Sequence, residues 1–188
     1  METNKDLKVV STLWGEEIIS LRDDKIAGQV AKEEGDKFED YVEELLMEGL
    51  VESYGVIKQP LYTNYYGMSG LRKDFKLIPK SGLFCEIKDD LKTYMIEAKQ
   101  LGLVSNNVQK LDYEWNNLRA GCYGKEFWVV YDFYRGSKNA QRWFSHIDAN
   151  VIPDLKKEVA EKGINFRWID INDFIKSLNE ENLWKQLI

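Results

Sequence analysis

RKDFKLIPKSGLFCEIKDDLKTYMIEAKQ, residues 72–100, places an acidic residue, Asp74, at the head of a strand-like run. Two Glu-x-Lys triplets follow it, Glu86-Ile87-Lys88 and Glu97-Ala98-Lys99. Arg72 to Ile78 reads as a strand. Pro79-Lys80-Ser81-Gly82 reads as a turn, because Pro presets one φ and Gly tolerates the left-handed position. Leu83 to Lys88 is then a returning strand. Alternation along a strand points the Glu and the Lys of a Glu-x-Lys triplet to one face. An Asp beside such a triplet on a neighbouring strand is the arrangement that metal-assisted phosphodiester hydrolysis needs. Two carboxylates offer hard oxygen ligands to Mg²⁺. The metal activates water and stabilises charge on the phosphate, while the lysine ammonium orients or stabilises the same group.

The two triplets compete. If Pro79–Gly82 is a tight turn, Glu86 lands opposite Phe75 and beside Asp74. Leu91, Tyr94, Met95, Ala98 and Leu101 also have helical spacing, with Asp90 as N-cap and Gly102 as a stop, which would remove Glu97 from any strand. TYMIEAKQ, on the other hand, brings aromatic and branched residues to the triplet as a strand end does. Glu97/Lys99 is the preferred pair and Glu86/Lys88 the alternative. In a chain this rich in Glu and Lys such triplets often arise by chance, and from spacing alone most are solvated strand or helix faces.

Upstream, Phe38, Tyr41, Val42, Leu45 and Leu46 recur at helical spacing, and Gly49 is a stop. The first ~34 residues read as mixed, helix-like sequence of weak periodicity. Tyr54–Gln59 is a predicted strand ended by Pro60, and Thr63–Gly70 a loop. In that region Tyr62, Tyr65 and Tyr66 sit where aromatics are poorly buried, which suits base contact. Downstream, Asn107–Leu118 is a predicted helix with Val108, Leu111, Trp115 and Leu118 on one face. EFWVVYDF (126–133) is apolar on both faces, hence a central strand. A loop carrying Arg135, Lys138 and Arg142 comes next, then a helix over Asp154–Lys162, a strand over Ile164–Ile171 and a last helix capped by Asn172. Such alternation predicts an α/β fold with a mixed central β-sheet flanked by helices.

The 188 residues suit one domain, and 44 % hydrophobic with 13 % aromatic content is enough for a core, which excludes disorder. The longest apolar run, Phe127–Tyr131, is far short of the ~20 residues of a membrane span, so no membrane partner is expected. No secretory pattern opens the chain, and Cys85 and Cys122 have no partner at ligand spacing. A cytoplasmic protein is the expectation. Phosphate-loop, dinucleotide, nucleophile-elbow and HExxH motifs are absent. The single histidine, His146, excludes a His-based metal cluster and suits a hydrogen-bonded side chain better than a base. With 26 basic and 32 acidic residues the net charge is −6. Passive DNA coating is therefore disfavoured, and nucleic acid can be held only if the basic residues gather in one groove. Candidates are Arg72, Lys73, Lys76 and Lys80 on one side and Arg135, Lys138 and Arg142 on the other.

Three stretches resemble the PD-(D/E)XK nucleases. Gly35-Asp-Lys-Phe38-Glu39-Asp-Tyr-Val42-Glu-Glu-Leu45 is similar to the first helix of the Holliday-junction resolvases in that superfamily. Glu97–Leu118 resembles the segment after the Glu-x-Lys motif of many type II restriction endonucleases, and EFWVVYDF completes an α-β-β-β-α-β order. The likeness spans about residues 35–133, with Lys73 where the name-giving Pro stands. It implies a restriction-endonuclease-like (PD-(D/E)XK) core within a single nuclease domain, residues 1–188, extended at both ends. It also implies Asp74, Glu97 and Glu39 as metal ligands and Lys99 as the fourth catalytic residue, with Mg²⁺, or Mn²⁺ in its place. Double-stranded DNA is the implied substrate and a homodimer the implied assembly, since two strands are cut. A type II restriction enzyme is the first expectation and a structure-selective junction resolvase the second. A non-catalytic acidic interaction module is the rival from another class.

Overall fold

The computed structural model describes residues 7–12, 15–20, 24–80, 92–101, 107–133 and 138–185. Its elements run β1 (Leu7–Thr12), β2 (Gly15–Ser20), α1 (Asp24–Gly49), β3 (Tyr54–Lys58), β4 (Leu61–Tyr62), β5 (Leu71–Arg72), β6 (Phe75–Pro79) and β7 (Tyr94–Leu101). They continue with α2 (Asn107–Arg119), β8 (Glu126–Phe133), α3 (Lys138–His146), a π-helical turn (Ile147–Val151), α4 (Ile152–Ala160), β9 (Asn165–Asp170) and α5 (Ile171–Glu180). Five strands form a sheet in the order β3-β6-β7-β8-β9. β3/β6 and β6/β7 are antiparallel, whereas β7/β8 and β8/β9 are parallel. The fold is α/β with a mixed sheet flanked by helices, as the alternation of elements predicts.

The two apolar faces of β8 are used as expected. Phe127 and Val129 pack with Leu111, Trp115 and Leu118 of α2 and Leu155 and Val159 of α4. Trp128 and Val130 face the opposite way, toward Phe38, Val42 and Leu46 of α1 and Phe174 and Leu178 of α5. Burying such side chains stabilises by about 1.5–3 kcal/mol each, so both layers are anchored through one central strand.

Several expectations are corrected. Residues 7–12 and 15–20 are not helix-like: β1 and β2 pair antiparallel from Leu7↔Ser20 to Thr12↔Gly15. α1 starts at Asp24, so Gly35 lies inside the helix. At its end Gly49 is set by close approach, since a Cβ there would stand 2.0 Å from the Trp184 ring. The predicted basic loop is in part helix: Lys138 and Arg142 belong to α3, while Arg135 lies outside the described residues. α3, the π-turn and α4 follow one another without a gap, and Pro153, which has no N–H to give, sits just after the turn. Asp170, not Asn172, caps α5. It has extended backbone (φ −72°, ψ 162°), and its carboxylate accepts from the N–H groups of Asn172 and Asp173. Among the described residues no helix is long and apolar enough to cross a membrane.

Candidate active site

The strand predicted over Arg72–Ile78 is broken at Lys73-Asp74, and that break creates the site. β3 and β4 together pair with β5 and β6 as one hairpin arm, from Tyr54↔Pro79 to Tyr62↔Leu71. Gln59, at a positive φ of 50°, and Pro60 kink the outgoing limb. Opposite them, Asp74 O accepts from Gln59 N (2.8 Å) and Pro60 O from Lys73 N (3.1 Å). β6 runs along β7 only as far as Phe75↔Ile96. One step past that pair, the Asp74 carboxylate takes over from the departed backbone: Oδ2 accepts from Ala98 N at 2.7 Å. The aspartate is thereby fixed against the middle residue of Glu97-Ala98-Lys99. Residues 94–101 are strand and not helix.

Glu97 is buried and pairs with the Lys99 ammonium. Its second oxygen, Oε2, pairs with Lys73 Nζ at 3.2 Å. Lys73 is itself only 2 % exposed. Its ammonium also pairs with Glu114 of α2 and stands 4.6 Å from the Tyr123 ring centre and 5.4 Å from that of Tyr62. Glu114 in turn accepts from the Tyr123 hydroxyl at 2.5 Å. This buried position removes Lys73 from the proposed phosphate groove, and Tyr62 is buried beneath it instead of exposed in a loop.

Electrostatics couple these groups. Burial pushes the Asp74 carboxyl up to about 7, helped by the neighbouring charge of Glu97 and that of Glu39, and opposed by Lys99. Burial works the same way on Glu97, but the Lys99 and Lys73 ammoniums outweigh it and hold that carboxyl below its usual range. Lys99 is held above its usual range: burial opposes its charge, and Glu97, Asp74 and Glu114 more than compensate. Glu39 of α1 is raised by burial, with Lys58 opposing and Glu97 adding repulsion. Asp74, Glu97, Lys99 and Glu39 therefore share one electrostatic neighbourhood. Three carboxylates (Asp74, Glu97, Glu114) meet two ammoniums (Lys73, Lys99), and Glu39 adds further negative charge. The neighbourhood is short of cations.

That deficit bears on the expected Mg²⁺. The donors are hard oxygens, the carboxylates outnumber the ammoniums, and Asp74 is destabilised as an anion. These features fit a divalent cation. Among the described residues no three acidic, Cys or His side chains are grouped to hold a metal. Asp74 and Glu97 would be the protein's share, and Glu39, expected as a third ligand, couples to both electrostatically without being grouped with them. Mg²⁺ often takes one or two carboxylates and completes its shell with water and substrate phosphate.

Glu86 and Lys88, the alternative triplet, lie outside the described residues. His146 is exposed, and its ring nitrogen contacts Asn150 Nδ2 at 3.2 Å. Lys73 and Glu114 as an internal ion pair escaped the sequence reading. Glu114 gave a signal: it falls three residues after Leu111 and four before Leu118, inside the apolar stripe of α2. No protein-family model, curated protein or solved structure matches the chain.

Proposed function

We propose that the protein is a Mg²⁺-dependent endonuclease with a PD-(D/E)XK-like core, cleaving double-stranded DNA as a homodimer in the manner of a type II restriction enzyme. The observation that carries this reading is the juxtaposition of Asp74, where β6 leaves the sheet, with Glu97-Ala98-Lys99 on β7. With the separate β4/β5 pair set aside, α1, the five-stranded sheet's β3, β6 and β7, then α2 and β8 follow the α-β-β-β-α-β order of that superfamily. Glu39 on α1 adds the helix glutamate expected of it.

A bound Mg²⁺ would supply Lewis acidity and an activated water. The chain's own residues do the rest. The Ala98 N–H orients the Asp74 carboxylate. Lys73 and Lys99 keep Glu97 ionised and ready to bind a cation. Lys99, less buried than Glu97, is the cation placed to meet a substrate phosphate.

Purified protein incubated with linear duplex and four-way-junction DNA in Mg²⁺ tests the proposal. Discrete duplex fragments are expected, abolished in Asp74→Ala and reduced by several orders of magnitude in Lys99→Ala, with Lys88→Ala nearly silent. Cleavage confined to the junction would reassign the activity to a resolvase. Full activity in Asp74→Ala would remove the site from catalysis.

A further inference from the structure

The arm beyond the kink carries a surface feature that the metal-site reading does not use. Its tip, residues 63–70, is a tightly organised loop and not a floppy one. Asn64 is buried, and its Oδ1 accepts from the backbone N–H groups of both Tyr66 (3.0 Å) and Met68 (2.9 Å). Its Nδ2 donates to the Tyr113 hydroxyl on α2 at 3.0 Å. Asn117, also buried, accepts from Tyr65 N at 3.0 Å. Two buried amides thus hold a loop whose own side chains point outward. Tyr66 is 70 % exposed and Met68 59 %. The Tyr65 and Tyr66 rings lie 4.0 Å apart, and Tyr113 extends the group at 6.0 Å from Tyr65. Tyr113 immediately precedes Glu114, which binds Lys73 at the site.

Charge gives the partner's character. The protein has 32 acidic residues among 188, yet Ser53 to Lys73 contains none; within that stretch Lys58 is paired with Glu43 and the buried Lys73 with Glu97 and Glu114, which leaves Arg72 as the cation open to a ligand. Arg72 is exposed, donates to the neutral Gln59 side chain at 2.9 Å, and has no carboxylate partner among the described residues. An aromatic shelf on an arm free of carboxylates, with the exposed Arg72 guanidinium at its base, matches a polyanion that also carries flat rings. We infer that the Tyr65–Tyr66 shelf is a nucleobase-stacking subsite, taking an unpaired or extruded base of a nucleic acid whose backbone runs past Arg72. This deepens the nuclease reading above and rests on it for the choice of nucleic acid. Aromatic faces stack on any base, so the subsite reads strand opening and not sequence.

The test is fluorescence anisotropy with labelled duplexes, one fully paired and one with a single unpaired base, in Ca²⁺ and again in EDTA. Tyr66→Ala should weaken binding of the unpaired-base duplex about five- to hundredfold, the range that stacking energies imply. Tyr66→Phe should restore most of it, and the paired duplex should change much less. Unchanged melting temperature in Tyr66→Ala, expected of so exposed a side chain, confirms that the fold is intact. Equal losses on both duplexes, unchanged affinity, or no binding of either duplex by the wild type would each overturn the inference. So would a loss of self-association in Tyr66→Ala with binding intact, which would make the shelf a contact between copies. Cleavage lost in Asp74→Ala with no effect of Tyr66→Ala overturns only the subsite. A Tyr66 effect without any Mg²⁺-dependent cleavage leaves the subsite and removes the nuclease.

Discussion

Replacing Asp74 by Asn should stabilise the metal-free protein at high pH and leave it unchanged at low pH. The folded protein raises this carboxyl from 3.8 to about 7, chiefly through burial and then through Glu97. Between those two values the folded state keeps a proton that the unfolded chain has released, so stability falls as pH rises. Below about 4 the group is protonated in both states and contributes nothing. Above about 7 the full cost is present. Roughly three pH units at about 1.4 kcal/mol each set a ceiling of about 4 kcal/mol. Asp74 keeps partial contact with solvent, and screening brings the expected gain nearer about 2 kcal/mol. Asn preserves the acceptor that meets Ala98 N, so the sheet contact survives the change. Urea unfolding of wild type and Asp74→Asn in EDTA, from pH 4.5 to 8.5, measures the difference directly. A variant less stable than wild type at pH 8, or a difference that does not vary with pH, would refute the reasoning.

Further outcomes follow from the same geometry. Lys73→Met leaves Glu97 with only Lys99 and Glu114 with no ion-pair partner, and should cost about 3–5 kcal/mol in urea unfolding; Lys73→Met with Glu114→Leu should recover part of that. Mg²⁺ or Ca²⁺ at a hundred times its dissociation constant should stabilise the protein by about 2.7 kcal/mol in thermal melts, an effect absent in Asp74→Asn and in Glu97→Gln. Gly49→Ala forces a methyl group into the Trp184 ring, so a loss of about 1–3 kcal/mol is expected, relieved when Trp184 is also made Leu.

Elements whose periodicity reports their own burial were legible in the sequence. EFWVVYDF is apolar at consecutive positions because the sheet is covered on both faces there, and α2 shows its inward stripe in Leu111, Trp115 and Leu118. Where identity depends on geometry, the residues were mute. Asn172 and Asp170 are equally good caps by type, and only the extended backbone at Asp170 decides between them. The Val9-Val10 and Ile18-Ile19 doublets of the first hairpin follow neither the strand nor the helix period. The break at Lys73-Asp74 originates in the opposite limb, at Gln59 and Pro60, where no local motif of residues 72–78 could announce it. The burial of Lys73 is likewise non-local: its counter-charges lie on β7 and on α2, the latter 41 residues on. Asp74, Glu97, Lys99 and Glu39 could be chosen as candidates from residue type and resemblance. Their electrostatic coupling needed the fold.

The Ala98 amide proton is donated to the Asp74 carboxylate, so the chemical state of that carboxylate is written onto a backbone resonance. Protonation of Asp74, or capture of a cation by it, should move the Ala98 nitrogen–proton peak while leaving the peaks of Phe127 and Val129 on the neighbouring strand in place. The same amide should exchange with solvent faster once the side chain turns away. A single residue that has neither charge nor reactive group is in this way the natural spectroscopic witness of the site.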